Sequence, residues 1–386
     1  MPAPSPDAPA HQKLLFTPGP LNTHPEVRAA MQLDYGSRDG DFIALVAQIR
    51  RQLLALAGVS QQQGYEAVLL QGPGTFAIEA LLSCALHPQN DHVLVMVNGA
   101  YGRRIQQILE HHRLPYTLET WPEDRPIAPA RVEELLHQEP RITHLVAVHC
   151  ETTTGLLNPV AALGELARKH NKTFFLDSMS AFGALPVSLV ADNVHALVSS
   201  ANKCIEGVPG FAYVLLEKAV LHRCAGNAAT LSLDLYAQWQ GLEKNGQFRY
   251  TPPTHTLAAF HKAMELHAAE GGSPARLARY QRRHQQLVEG AIALGLQPFL
   301  SPEVQAPIIT TFFYPEDEKF DFQLFYEALS AQGFAIYPGK LSHAKVFRVG
   351  NIGALPTDAI QRLLTAMQEA LEGMGIALPA GRSTPS

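Results

Sequence analysis

Thr173-Phe174-Phe175-Leu176-Asp177 and, further along, His195-Ala196-Leu197-Val198-Ser199-Ser200-Ala201-Asn202-Lys203 are the stretches that decide how this chain is read. The first is an apolar run that ends in an acid. The second is a shorter apolar run that ends in small polar residues and a lysine. An amine and a carboxylate set at the ends of neighbouring strands are what a pyridoxal phosphate site needs. The Lys203 amine forms the Schiff base, and Asp177 keeps the pyridine nitrogen protonated so that the ring accepts electrons. The plainer explanations are an N-cap or surface acid for Asp177 and a surface position for Lys203. The strand-end setting, the small neighbours and the turn Gly207-Val208-Pro209-Gly210 weigh against them.

Outward from this pair the pattern alternates. Apolar runs at Glu66–Leu70, His92–Val97, Tyr116–Glu119, His144–His149, Thr173–Leu176, Ala196–Ser200 and Phe211–Leu216 read as seven strands. Helical periods at Thr75–Leu86, Tyr101–His111, Ala130–His137 and Val160–His170 lie between most of them. In the last, Leu163, Leu166 and Ala167 give one apolar face. Strands buried between helices imply an α/β fold with a mostly parallel sheet. The last two strands have no helix between them, which leaves their relative direction open.

After about Thr256 the texture changes. Helical stretches at His255–Ala269 and Arg276–Leu294 flank a break at Gly271-Gly272-Ser273-Pro274. A strand (Ile308–Tyr314), a helix (Phe322–Ala331), a short strand (Val346–Val349) and a closing helix (Thr357–Leu371) follow. The expected organisation is a flexible tail over 1–12, a large domain with an N-terminal arm over 13–270, a smaller C-terminal α+β domain over 271–377, and a second tail over 378–386.

Composition narrows the function. The 386 residues are 46% hydrophobic and 17% charged, with a formal net charge of −5, which is globular and gives nucleic acid no basic tract to bind. No apolar run is long enough to span a membrane. The N-terminus lacks the pattern of a signal peptide. Four cysteines without a CxxC pair suit a reducing cytoplasm. Cys204, beside the lysine, reads as a small apolar filler rather than a nucleophile. The seventeen histidines include no HExxH, so no metal is assigned.

Other strand ends carry candidate ligands. Gln71-Gly72-Pro73-Gly74-Thr75 opens a helix, where free N–H groups and the dipole attract anions, and the Thr75 hydroxyl adds a donor; a plain Gly turn is the alternative. Tyr101, in Asn98-Gly99-Ala100-Tyr101-Gly102, is placed to stack on a pyridine ring or to pack on its own helix. In Glu151-Thr152-Thr153-Thr154-Gly155, a threonine hydroxyl is placed to bond a ring oxygen, or the run is a turn and helix cap. Arg348, among apolar neighbours in Phe347–Gly353, needs an anion, either a substrate or a structural acid. Arg38, in Gly36-Ser37-Arg38-Asp39, is a second candidate cation, with a surface turn as its alternative.

In these motifs, and in Leu15-Phe16-Thr17-Pro18-Gly19-Pro20-Leu21 and Asn202-Lys203-Cys204, the chain resembles the class V, fold type I pyridoxal phosphate aminotransferases, over roughly residues 13 to 373. The resemblance implies a transamination between an amine donor, here an aminophosphonate, and pyruvate. Lys203 would carry the cofactor and move the proton, and Asp177 would pair with the ring nitrogen. Tyr101 would stack on the ring, and Thr152 would bond its phenolic oxygen. Gly74, Thr75 and Asn202 would surround the phosphate, joined by Tyr250 and Thr251 lent by a partner in a homodimer. Arg348 would hold the substrate's acidic end. One departure is Pro73, where similar enzymes commonly have Ser; proline removes an N–H donor. Rival expectations are an alanine–glyoxylate or serine–pyruvate type transaminase, a transaminase for a hydroxylated or N-methylated aminophosphonate, a lyase or desulfurase, and a non-catalytic binding protein of the same fold.

Overall fold

The structure is a computed structural model that describes residues 13–339, 341 and 344–380. The expected tail over 1–12 lies outside the described residues, as do positions 381–386. Of the expected second tail, Leu378–Ala380 is described. There Ala380 is buried and donates its N–H to the Leu294 carbonyl at 2.9 Å, so this stretch is packed.

All seven expected strands form one sheet, in the order Tyr65–Gln71, Phe211–Glu217, Ala196–Ser200, Thr173–Asp177, His144–Val148, Val93–Val97, Tyr116–Thr120. The last five of that order run parallel to one another. Phe211–Glu217 runs antiparallel to both of its neighbours. The direction left open by the sequence follows from connection length. A short turn after Lys203 returns the chain at the same sheet edge, whereas a parallel return needs a crossover. The central strands are buried along their whole length, which is why they read as continuous apolar runs rather than alternating ones.

Helices pack on the sheet through the faces their periods predict. Leu163, Leu166 and Ala167 are buried on Val160–Lys169. The reading above does not place four helices, Pro25–Ala29, Gly40–Leu56, Lys218–Arg223 and Leu235–Asn245. Gly40–Leu56 carries a legible stripe, Phe42, Val46, Ile49 and Leu53, all buried. At the glycine-rich break, Gly271 takes φ +111° and closes the helix Thr254–Glu270. The next helix then starts at Gly272, earlier than expected, because Pro274 is tolerated in a first turn.

The smaller C-terminal part has a three-stranded antiparallel sheet in the order Ile309–Phe313, Val346–Gly350, Tyr337–Pro338. Its core gathers Phe312, Phe325, Phe347, Leu363 and Met367. The N-terminal arm joins this core. Leu14–Leu15 pairs in parallel with Phe334–Ala335, and Phe16 is fully buried among these residues, a burial that stabilises by about 2–3 kcal/mol.

Two helical glycines make a matched test of packing. A Cβ on Gly164 would lie 1.7 Å from the Asp192 carbonyl oxygen, whereas one on Gly373 meets nothing within 4 Å. Gly164→Ala is expected to lower the melting temperature by several degrees despite a propensity gain of about 1 kcal/mol. Gly373→Ala should leave it unchanged or raise it. Thermal denaturation of both variants checks this, and equal effects would contradict the packing at Gly164.

Candidate active site

Because most of the sheet is parallel, its carboxyl ends share one edge, and α/β ligands bind outside that edge. A cavity of about 380 Å³ lies there. Gly74, Thr75, Tyr101, Asp177, Asn202 and Lys203, all read from the sequence, line it together. Arg104 and Met179 line it too, and the sequence reading did not single them out. Arg104 follows Tyr101 by three helical residues and so shares its face, which was a usable signal.

Burial sets the chemistry of the central pair. It pulls the Lys203 amine down to about 8 and pushes the Asp177 carboxyl up to about 6, because each charged form loses water. The Met179 N–H, 2.9 Å from Asp177 Oδ1, opposes the shift at Asp177. Lys203 Nζ donates to the carbonyls of Pro18 at 3.1 Å and Gly19 at 3.3 Å, on the N-terminal arm. Gly19 has to be glycine here. Its φ is +109°, and a Cβ would lie 2.8 Å from Lys203 Cδ and 3.0 Å from Nζ.

Two helix N-termini face the cavity and differ in occupancy. At Ala100–His111, the buried Glu151 carboxylate accepts the N–H of Tyr101 at 3.2 Å and of Gly102 at 2.7 Å. Burial pushes this carboxyl up to about 7 against those two bonds. At Gly74–Ala85 the preceding residue is Pro73, and no side chain caps the helix. The Phe76 N–H turns back to the Pro73 carbonyl at 2.9 Å, and those of Gly74 and Thr75 are left for a ligand. Gly74 also admits Met179, since a Cβ would meet Met179 Sδ at 2.1 Å.

Arg348 is buried with no ion pair among the described residues. Nε donates to the Pro338 carbonyl at 3.1 Å, and a terminal nitrogen donates to the Thr152 carbonyl at 2.9 Å. Burial lowers its pKa, opposed by Tyr101 and Tyr337. Thr152 is buried beside it. Arg38, Tyr250 and Thr251 are exposed, and none of them lines the cavity of this chain.

The lysine turn is clamped from behind. The Glu206 N–H donates to the Lys203 carbonyl at 2.8 Å, with Glu206 at φ +64°. The Glu206 Oε1 accepts from Arg279 at 3.0 Å, the Tyr280 hydroxyl at 2.6 Å and the Gly353 N–H at 2.9 Å. Cys204 Sγ points to the Ser180 carbonyl at 3.1 Å. Burial pushes its thiol up to about 12, as suits a filler and not a nucleophile. Among the described residues, Glu133, His137 and His170 form one group of metal-capable side chains away from this cavity, and Lys169 already pairs with Glu133.

The fold and this site define a class-V aminotransferase. The profile of the family Aminotransferase class-V matches residues 25–352, and the chain belongs to that family, whose members imply a pyridoxal phosphate cofactor. The chain is 46% identical over 368 residues to the 2-aminoethylphosphonate–pyruvate transaminase of Vibrio cholerae serotype O1 (strain ATCC 39541), covering 93% of this chain and 97% of that one. It is 43% identical over 363 residues to the protein of that name from Pseudomonas putida (strain GB-1), covering 94% and 98%. Among solved structures, alanine–glyoxylate aminotransferase from Nostoc sp. superposes with a TM-score of 0.87 at 24% identity, covering 96% and 98%. Ureidoglycine–glyoxylate aminotransferase from Bacillus subtilis does so with 0.87 at 21%, covering 96% and 95%.

An aldehyde is captured only by a neutral amine. At pH 7 an amine with a pKa near 8 is about one-tenth neutral, against about one in 3,000 for an ordinary lysine. Uptake of pyridoxal phosphate by the apoprotein is expected to speed up about tenfold per pH unit and to level off above about pH 8. A stopped-flow series checks this, and a rise that continues to about pH 10 would show an ordinary solvated lysine. Gly19→Ala is expected to slow uptake at least about tenfold.

Proposed function

We propose that this protein transfers the amino group of 2-aminoethylphosphonate to pyruvate, giving phosphonoacetaldehyde and alanine, with pyridoxal phosphate as its cofactor. The observation that carries this reading is one cavity holding a buried amine, a buried carboxylate and an uncapped helix N-terminus, in a chain 43–47% identical to enzymes of that name. The donor set fits the cofactor. The N–H groups at Gly74 and Thr75, with Asn202, would hold the phosphate. Asp177 would keep the ring nitrogen protonated, Tyr101 would lie against the ring, and Thr152 would bond the phenolic oxygen. When bound, pyridoxal phosphate supplies an electrophilic carbon for the amine and a ring that takes up the electron pair left by a departing proton.

The protein's own groups do the rest. Lys203 would hold the cofactor through its amine. With a pKa near 8, Nζ is matched to accept a proton from the substrate carbon that bears nitrogen and to give it back. Pyruvate runs the same steps in reverse. Arg348 serves both halves, because a guanidinium fork suits phosphonate and carboxylate alike. Its present partners are only carbonyls, so an anion adds the charge it lacks.

The reading also places a second copy of the chain beside the first. Tyr250 and Thr251 are exposed here, and in this reading a partner lends them to the phosphate. The proposed assembly is a homodimer with shared sites. Four free, buried cysteines accord with a reducing cytoplasm.

Alanine formation from pyruvate, measured with a panel of donors, tests the substrate. Activity with 2-aminoethylphosphonate well above that with serine is expected. Activity with serine and none with aminophosphonates would replace this reading by the serine–pyruvate type, and preference for a hydroxylated or N-methylated aminophosphonate would move it to a close relative. Arg348→Met is expected to lower kcat/KM about 10–100-fold for both aminophosphonate and pyruvate, with cofactor affinity kept. Light scattering in solution checks the dimer, and a fully active monomer would remove the shared-site part.

A further inference from the structure

We propose that Arg104 is a cofactor-phosphate ligand, supplying at the mouth of the cavity the donors that Pro73 withholds. The inference rests on the pyridoxal phosphate reading and deepens it.

Three observations lead there. The first is position. Arg104 lies on the helix Ala100–His111, and its guanidinium carbon sits 5.0 Å from the centroid of the Tyr101 ring. One terminal nitrogen donates to Thr75 Oγ1 at 3.0 Å. That oxygen stands at the uncapped N-terminus of Gly74–Ala85, so cation, hydroxyl and helix dipole converge on one corner of the cavity. The second is charge. Arg104 has no ion pair among the described residues, and its field reaches both Asp177 and Lys203. Two cations facing one cavity repel each other until an anion enters between them. The third is the donor count. Pro73 has no N–H and cannot bind the anion from the loop, and the rival helix N-terminus is already filled by Glu151. A planar fork with five N–H donors matches a phosphate dianion and restores the missing contacts.

Arg104 has two other conceivable duties. As a purely structural residue it would only steady Thr75. As a substrate residue it would grip the phosphonate. Comparing the cofactor with and without its phosphate separates them. The wild-type protein and the Arg104→Met variant are stripped of cofactor and titrated with pyridoxal phosphate and, separately, with pyridoxal, following absorbance and tyrosine–tryptophan fluorescence. The expected result is pyridoxal phosphate affinity weakened about 10–100-fold, pyridoxal affinity within about threefold, and Arg104→Lys in between, since a lysine keeps charge without the fork. Inorganic phosphate should compete with pyridoxal phosphate on the wild type and much less on Arg104→Met. Arg104 is exposed, so the apoprotein's melting temperature should be unchanged, and it serves as the folding control.

Equal loss for both ligands would overturn the proposal in favour of a structural role. Unchanged affinity for both, with KM for the aminophosphonate raised, would overturn it in favour of the substrate role. A wild-type apoprotein that takes up neither ligand would instead sink the cofactor reading on which the proposal stands.

Discussion

One buried carboxylate, that of Glu206, holds the distance between the two halves of the site. A buried charge is tolerable only when its lone pairs are filled, and the partners of Glu206 come from separate segments. Its own N–H reaches back to the Lys203 carbonyl. Its side chain takes Arg279 and Tyr280 from the helix Gly272–Ala293, and the Gly353 N–H from just beyond the Arg348 strand. Satisfying the acid therefore sets where the reactive amine stands relative to the guanidinium. The positive φ at Glu206, unusual for a residue with a side chain, is maintained by these bonds.

Within that frame the site works by withholding water. Lys203, Asp177 and Glu151 have ordinary titration points spread over more than six units, and burial draws them to about 8, 6 and 7. Of the three, the amine is the one matched to take up and return a proton near neutral pH. Each is held by backbone: the carbonyls of Pro18 and Gly19 for the amine, one N–H for Asp177, two for Glu151. Backbone partners have no rotamers to lose, so the site is arranged before a ligand arrives.

What the sequence disclosed, and what it hid, follows from the range of each signal. Lys203, Asp177, Gly74, Thr75, Tyr101 and Asn202 were legible because each follows a strand, and parallel strands deliver their ends to one edge. The direction of Phe211–Glu217 was not, since apolar runs look alike in both directions. Arg104 was hidden among the charges of an amphipathic helix, although its spacing from Tyr101 pointed to it. Glu151 stood inside a quoted motif, but its bonds to Tyr101 and Gly102 join segments about fifty residues apart. The Glu206 contacts span more than seventy. Arg38, Tyr250 and Thr251 are exposed and do not line the cavity of this chain.

The N-terminal arm carries a practical consequence. Leu14–Leu15 is stitched to Phe334–Ala335, and a few residues later the same arm offers its carbonyls to an amine 185 positions away in sequence. A truncation that removes Leu14–Leu15 or Pro18–Gly19 therefore takes away strand pairing in the smaller part and both carbonyl partners of the Lys203 amine at once.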